Sequence, residues 1–139
     1  MRKIYGFCAS FIILFAVCFF TSCTSFSEAE NNNSTMIDIL DHFKESGIKI
    51  EGVRPLMRKT VGAQIAMALV IAGSDVGIYK FDSKLKLQRE RLEFAKKNGY
   101  IFIVGRKFEA FVNGSFVMIS ANSNKEKKKI IAAFKSFKQ

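Results

Sequence analysis

Cysteine is missing from everything after residue 23, since Cys8, Cys18 and Cys23 are the only three in the chain. A domain built from the later residues can form no internal disulfide and perform no thiol–disulfide exchange, so its core must hold it together. His42 is the only histidine. That scarcity removes zinc sites of the usual histidine and cysteine spacing, and leaves one candidate for any nucleophile–base pair. Gly73-Ser74-Asp75 and Gly99-Tyr100 have no lysine-serine or second-glycine pattern behind them, so no phosphate loop is present, and no serine stands in an elbow motif. Asp38, Asp41, His42 and Glu45 would form a carboxylate–imidazole surface on a helix, but helical charge runs are usually solvated faces. These absences point away from an enzyme, and no metal or cofactor is expected. The alternative is an exported hydrolase or small-ligand carrier using a pocket near His42.

What is present begins at the N-terminus. Arg2 and Lys3 precede an apolar run from Ile4 to Phe20, followed by Thr21-Ser22-Cys23-Thr24-Ser25. A basic n-region, an apolar h-region and small residues at the cut form a secretory signal. Phe20-Thr21-Ser22-Cys23 resembles the lipobox of bacterial lipoproteins, with Phe20 where leucine is usual. The resemblance implies that residues 1–22 are removed and that Cys23 becomes the first mature residue, carrying diacylglycerol and a further palmitate-like acyl chain. Two or three chains anchor stably, because each buried methylene contributes about 0.8 kcal/mol and one chain alone is marginal. Two other readings stay open. An uncleaved span wants about 20 apolar residues, and this run has 17; plain secretion would leave Cys23 a free thiol. Thr24 is not the aspartate that resembles an inner-membrane retention signal, so a cell-membrane or outer-membrane position facing the periplasm or exterior is expected.

Residues 23–34 are rich in Ser, Asn, Glu and Thr and read as a disordered tether. Residues 35–139 are then a single domain, large enough for a core. Met36, Ile39, Leu40 and Phe43 recur at helical spacing, with Thr35 and Asp38 as a capping pair and Gly47 at the far end. Ile48 to Glu51 alternates as a strand closed by Arg54-Pro55. The apolar run from Val61 to Ala72, closed by Gly73, reads as a buried helix by its length. Val76 to Phe81 reads as a central strand, Lys84 to Lys97 as a charged helix capped by Asp82-Ser83 and ended by Asn98-Gly99, and Tyr100 to Val104 as a strand. Phe108–Val112 and Phe116–Ser120, joined through Asn113-Gly114, read as a type I′ hairpin. Ile130, Ala133, Phe134 and Phe137 stripe a last helix begun near Asn122 to Asn124.

Strands separated by helices imply parallel pairing through crossovers. The expected fold is α/β, a small mixed sheet of four to five strands flanked by helices. From Ile48 onward the order resembles the thioredoxin fold with an extra N-terminal helix, without the redox motif; a ferredoxin-like α+β arrangement fits the same spacing. Ile78-Tyr79-Lys80-Phe81-Asp82 and Phe111-Val112-Asn113-Gly114-Ser115-Phe116-Val117 also resemble segments of small bacterial lipoproteins of uncharacterised function, which implies a fold and a location but no reaction.

Charge supplies the remaining clue. The chain carries a net charge of +10, and +8 once Arg2 and Lys3 are removed. An exported basic domain meets anionic lipid, wall polymer or an envelope protein before any nucleic acid. Lys125, Lys127, Lys128 and Lys129 form the densest cluster and the expected anionic-surface site. The aromatic–basic motif of a single-strand nucleic-acid binder is missing. The expectation is a lipid-anchored, non-catalytic binding or interaction module.

Overall fold

The computed structural model describes residues 31–138. It is an α/β domain whose six strands form one open antiparallel sheet. In chain order these are helix α1 (Met36–Glu45), strand β1 (Ile50–Pro55), the single turn α2 (Arg58–Val61), β2 (Ile65–Ile71), β3 (Ser74–Lys80), α3 (Lys86–Asn98), β4 (Tyr100–Ile103), β5 (Arg106–Asn113), β6 (Phe116–Ile119) and α4 (Lys127–Ser136). The strand order is β1-β2-β3-β6-β5-β4. Two three-stranded meanders therefore meet at a central antiparallel pair, β3 with β6.

Local chemistry explains most boundaries. α1 starts with the capping box that its sequence predicts: Thr35 Oγ1 accepts from Asp38 N–H, and the Asp38 carboxylate accepts from Thr35 N–H at 2.6 Å. α3 ends at Gly99, whose φ of 71° is the left-handed conformation that a side chain resists. β1 ends at Pro55 on the sheet edge, where a missing N–H costs no ladder bond.

Three expectations are corrected. Residues 65–71 form a strand where a buried helix was expected. Ala, Met and Leu favour a helix weakly, but β2 is bonded on both sides, by β1 and β3, and packed on both faces, so it shows no alternation. That strand turns β1, β2 and β3 into a meander, so every pairing is antiparallel, and the sheet has six strands rather than four or five. The parallel pairing of a thioredoxin-like sheet is consequently lost. The Asn113-Gly114 hairpin is present, but its turn is shifted by one residue: Asn113 pairs with Phe116, and the loop is Gly114-Ser115 with positive φ only at Gly114. Positive φ at the first loop residue alone is the type II′ pattern. Type I′ turns occur instead at Ala72-Gly73 and Val104-Gly105, with φ of 50° and 73°, and 47° and 74°.

Alternation along the strands sorts the core into two layers. Leu69, Ile71, Val76, Ile78, Phe116 and Met118 face α1 and α4, meeting Ile39, Phe43, Ile130 and Phe134. Ala66, Tyr79, Ala110, Val117 and Ile119 face the other way, against Leu92 and Ala95 of α3 and Val61 of α2. Helices thus cover opposite faces. The second layer uses small residues because its elements approach closely: a Cβ added to Gly77 would lie 2.8 Å from Ile119 Cγ1 and 3.3 Å from Tyr79 Cε2.

Gly77→Val should destabilise the domain by about 1–3 kcal/mol through overpacking, seen as a lower urea midpoint, with part of the loss recovered by Ile119→Ala in the same chain. An unchanged midpoint would contradict the close approach.

Candidate functional site

The chain arrives at one end of the sheet through residues that composition assigned to a tether. Asn31 to Ser34 are seated in the domain, with Asn31, Asn32 and Ser34 all buried. Asn31 has a φ of 59°, which asparagine tolerates better than most residues, and Ser34 N–H closes the turn on Asn31 O at 3.0 Å. Asn31 Oδ1 accepts from Ser115 N–H at 2.9 Å and lies 3.1 Å from Ser115 Oγ, and Asn31 Nδ2 donates to Asn113 O at 3.4 Å. Asn32 Oδ1 accepts from Ser83 N–H at 2.8 Å, and its Nδ2 donates to Asp82 Oδ1 at 3.3 Å. Each amide supplies an acceptor to a buried N–H and a donor to an oxygen beyond it. Buried backbone groups require such partners. The domain accordingly starts at or before Asn31, whereas 35 was expected.

Two charged groups sit beside this clamp. Donors from Lys84 N–H and the Asn32 side chain hold the Asp82 carboxyl below its ordinary value of 3.8. Lys80, 7% exposed, has its amine 5.9 Å from the Phe116 ring centroid. Burial lowers its pKa, and the Asp82 and Asp38 carboxylates oppose that lowering.

The lysine cluster lies at the opposite end of the strands. Lys125, Lys127, Lys128 and Lys129 are exposed around the start of α4. Asn124, just ahead of them, donates through Nδ2 to Ile71 O at the end of β2, and Lys129 Nζ reaches Gly47 O after α1. In the sheet register Ile71 pairs with Ser74, while Lys80, next to the clamp, pairs with Ile65 and Phe116. The structure therefore separates the arriving chain and the four lysines by the length of the strands. Cys23 lies outside the described residues.

His42 ties two helices together. Its Nε2 is 2.9 Å from Ala133 O and 3.1 Å from Ser136 Oγ, and its ring meets Phe137 edge-on at 5.4 Å. A carbonyl only accepts, so Nε2 carries the proton and bonds α1 to α4. The hollow around it, about 260 Å³, is lined by Asp38, Asp41, Glu45, Phe137 and Lys138. Among the described residues no group of three or more His, Cys, Asp or Glu is placed to hold a metal, and no helix is long and apolar enough to cross a membrane.

A larger apolar groove of about 330 Å³ runs between α3 and the β4 edge, lined by Val61, Phe81, Leu87, Phe94, Ile101 and Phe102, with Glu90 and Arg91 at its rim. The rings of Phe94, Tyr100 and Phe102 follow one another edge-to-face at 5.5 and 5.4 Å, and Lys107 Nζ stands 4.0 Å over Tyr100. Sequence reasoning, which read residues 61–72 as a buried helix, did not locate this groove. It missed the clamp entirely, because Asn-Asn-Asn-Ser has a linker's composition whether or not its amides find partners.

Asn31→Ala should cost about 1–3 kcal/mol, the usual consequence of orphaning a buried donor, measured by urea denaturation. Acid supplies a second check. Unfolded Asp82 takes up its proton at higher pH than folded Asp82, so its contribution is present above about pH 4 and is lost as pH falls through the folded value. Asp82→Asn should flatten stability against pH in that acid range; an unaltered slope would exclude the carboxylate from the clamp.

The chain matches no protein-family model, no curated protein and no solved structure.

Proposed function

We propose that this chain is an envelope lipoprotein, held to a membrane by acyl chains on Cys23, whose α/β domain is a non-catalytic binding module. The observation that carries this reading is the placement of an export-type segment ending in Cys23 only eight residues before Asn31, which is itself seated in the fold. With the chain arriving at one end of the sheet, Lys125, Lys127, Lys128 and Lys129 stand at the other, where an anionic wall polymer or an acidic envelope protein would meet them. Electrostatic attraction of this kind is worth on the order of 1 kcal/mol per lysine near an anionic surface and is screened by salt. A hydrolase or carrier centred on His42 has less support, since the imidazole already bonds Ala133.

Fatty-acid labelling in cells tests the anchor. Label should enter the intact chain and vanish in Cys23→Ser, which should also leave the membrane fraction; a Cys23→Ser chain that stays labelled and membrane-bound would defeat the proposal. The lysine face is tested on the unlipidated Cys23→Ser chain. Its retention on an anionic polymer resin should end at markedly lower salt once Lys125, Lys127, Lys128 and Lys129 are changed to Gln, whereas equal retention would remove those lysines from the site.

A further inference from the structure

Nine large apolar side chains are exposed among the described residues, and five of them gather at the end of the sheet where the chain arrives. Leu85 and Leu87 are 53% and 72% exposed just after Ser83, the residue whose N–H bonds Asn32. Met57, 71% exposed, stands beyond Leu56, whose N–H bonds Ala66 O near the start of β2. Ile65 begins β2 opposite Lys80, and Ile37 is in the first turn of α1. Single exposed apolar residues are ordinary, but a concentration at one end marks an interaction surface. Basic side chains accompany it: Lys84-Leu85-Lys86-Leu87 alternates charge with leucine, and Lys59 and Arg91 are exposed nearby.

Tether length identifies what covers this surface. Seven residues lie between Cys23 and Asn31. Whatever its conformation, a chain of that length reaches at most about 28 Å, its full extension. An acylated Cys23 sits at the lipid surface, so the end of the domain at which the tether is clamped is the end closest to lipid.

We propose that this end is an interfacial membrane-docking surface: Leu85 and Leu87, flanked by Met57 and Ile37, enter the boundary between headgroups and acyl chains, while Lys86 and Lys59 meet anionic headgroups. The inference rests on anchoring at Cys23. Apolar area inserted into the interface and basic charge over anionic lipid act together in such docking. The lysines of α4 then point away from the bilayer.

The chain has no tryptophan, so single reporters can be placed in the lipidated protein reconstituted in vesicles containing anionic phospholipid. Leu87→Trp should be blue-shifted and strongly quenched by brominated lipid, and Val53→Trp, on the β1 edge, should keep water-like emission without quenching. Both sites are exposed, and an unchanged urea midpoint confirms the fold of each variant. An acylated, vesicle-bound chain in which Leu87→Trp is unquenched overturns the docking surface alone and leaves a protein partner as its occupant. A chain without acyl groups on Cys23, read by mass, overturns the anchor and the docking together. Equal quenching at both positions overturns the orientation.

Discussion

Side-chain amides of asparagine hold this domain's loops to its strands, and the arrangement of its two ends depends on them. Asn31 and Asn32 bind the arriving chain to Ser115 and Ser83. Asn113 donates to Phe134 O and Phe137 O at 2.7 and 2.8 Å, fastening the end of α4 to the β5–β6 turn. Asn124, 3% exposed, donates to Ile71 O and accepts from Glu126 N–H, fixing the start of α4 to the end of β2. An amide carries donor and acceptor side by side, which lets one residue satisfy two backbone groups that a buried loop would otherwise leave unpaired. In a domain without a disulfide, these bonds do the work of setting where loops lie, while the two apolar layers supply the bulk of the stability.

Orientation follows from the clamp. α1 leaves the arriving end and α4 returns to it, so the loops that follow α1 and precede α4 meet far from the Asn31–Asn32 clamp, where Lys129 reaches Gly47. One end of the molecule thus carries exposed leucines beside the arriving chain, and the other carries four exposed lysines. Under the proposed anchoring at Cys23, this would divide a face held to the membrane from a face presented to a partner. His42, the single residue that suggested catalysis, links α1 to the last turn of α4.

The sequence was most legible where local chemistry alone decides. The Thr35–Asp38 capping box, the Gly99 helix end and the apolar stripe of α4 all lie where spacing puts them. It was misleading where tertiary pairing decides. Residues 65–71 look helical because a strand flanked on both sides and covered on both faces has no period of two, and reading them as a helix produced the parallel pairing as well. Ala72-Gly73 and Val104-Gly105 make type I′ turns without the asparagine that usually signals one, whereas the asparagine of Asn113-Gly114 is spent on α4. The four lysines were evident as a cluster, but their distance from the Asn31–Asn32 clamp was not, since it depends on the register of the whole sheet.

The clamp is the claim on which the two-ended account stands, and amide hydrogen exchange at Ser83 and Ser115 measures it directly. Both N–H groups donate to an asparagine of the arriving segment at 2.8 and 2.9 Å. Protection approaching that of the central β3 and β6 amides is the expected result, because opening either bond requires the segment to leave its buried seat. Exchange of both amides at the rate of an unstructured chain, with β3 and β6 still protected, would show an unclamped N-terminal segment and contradict the account.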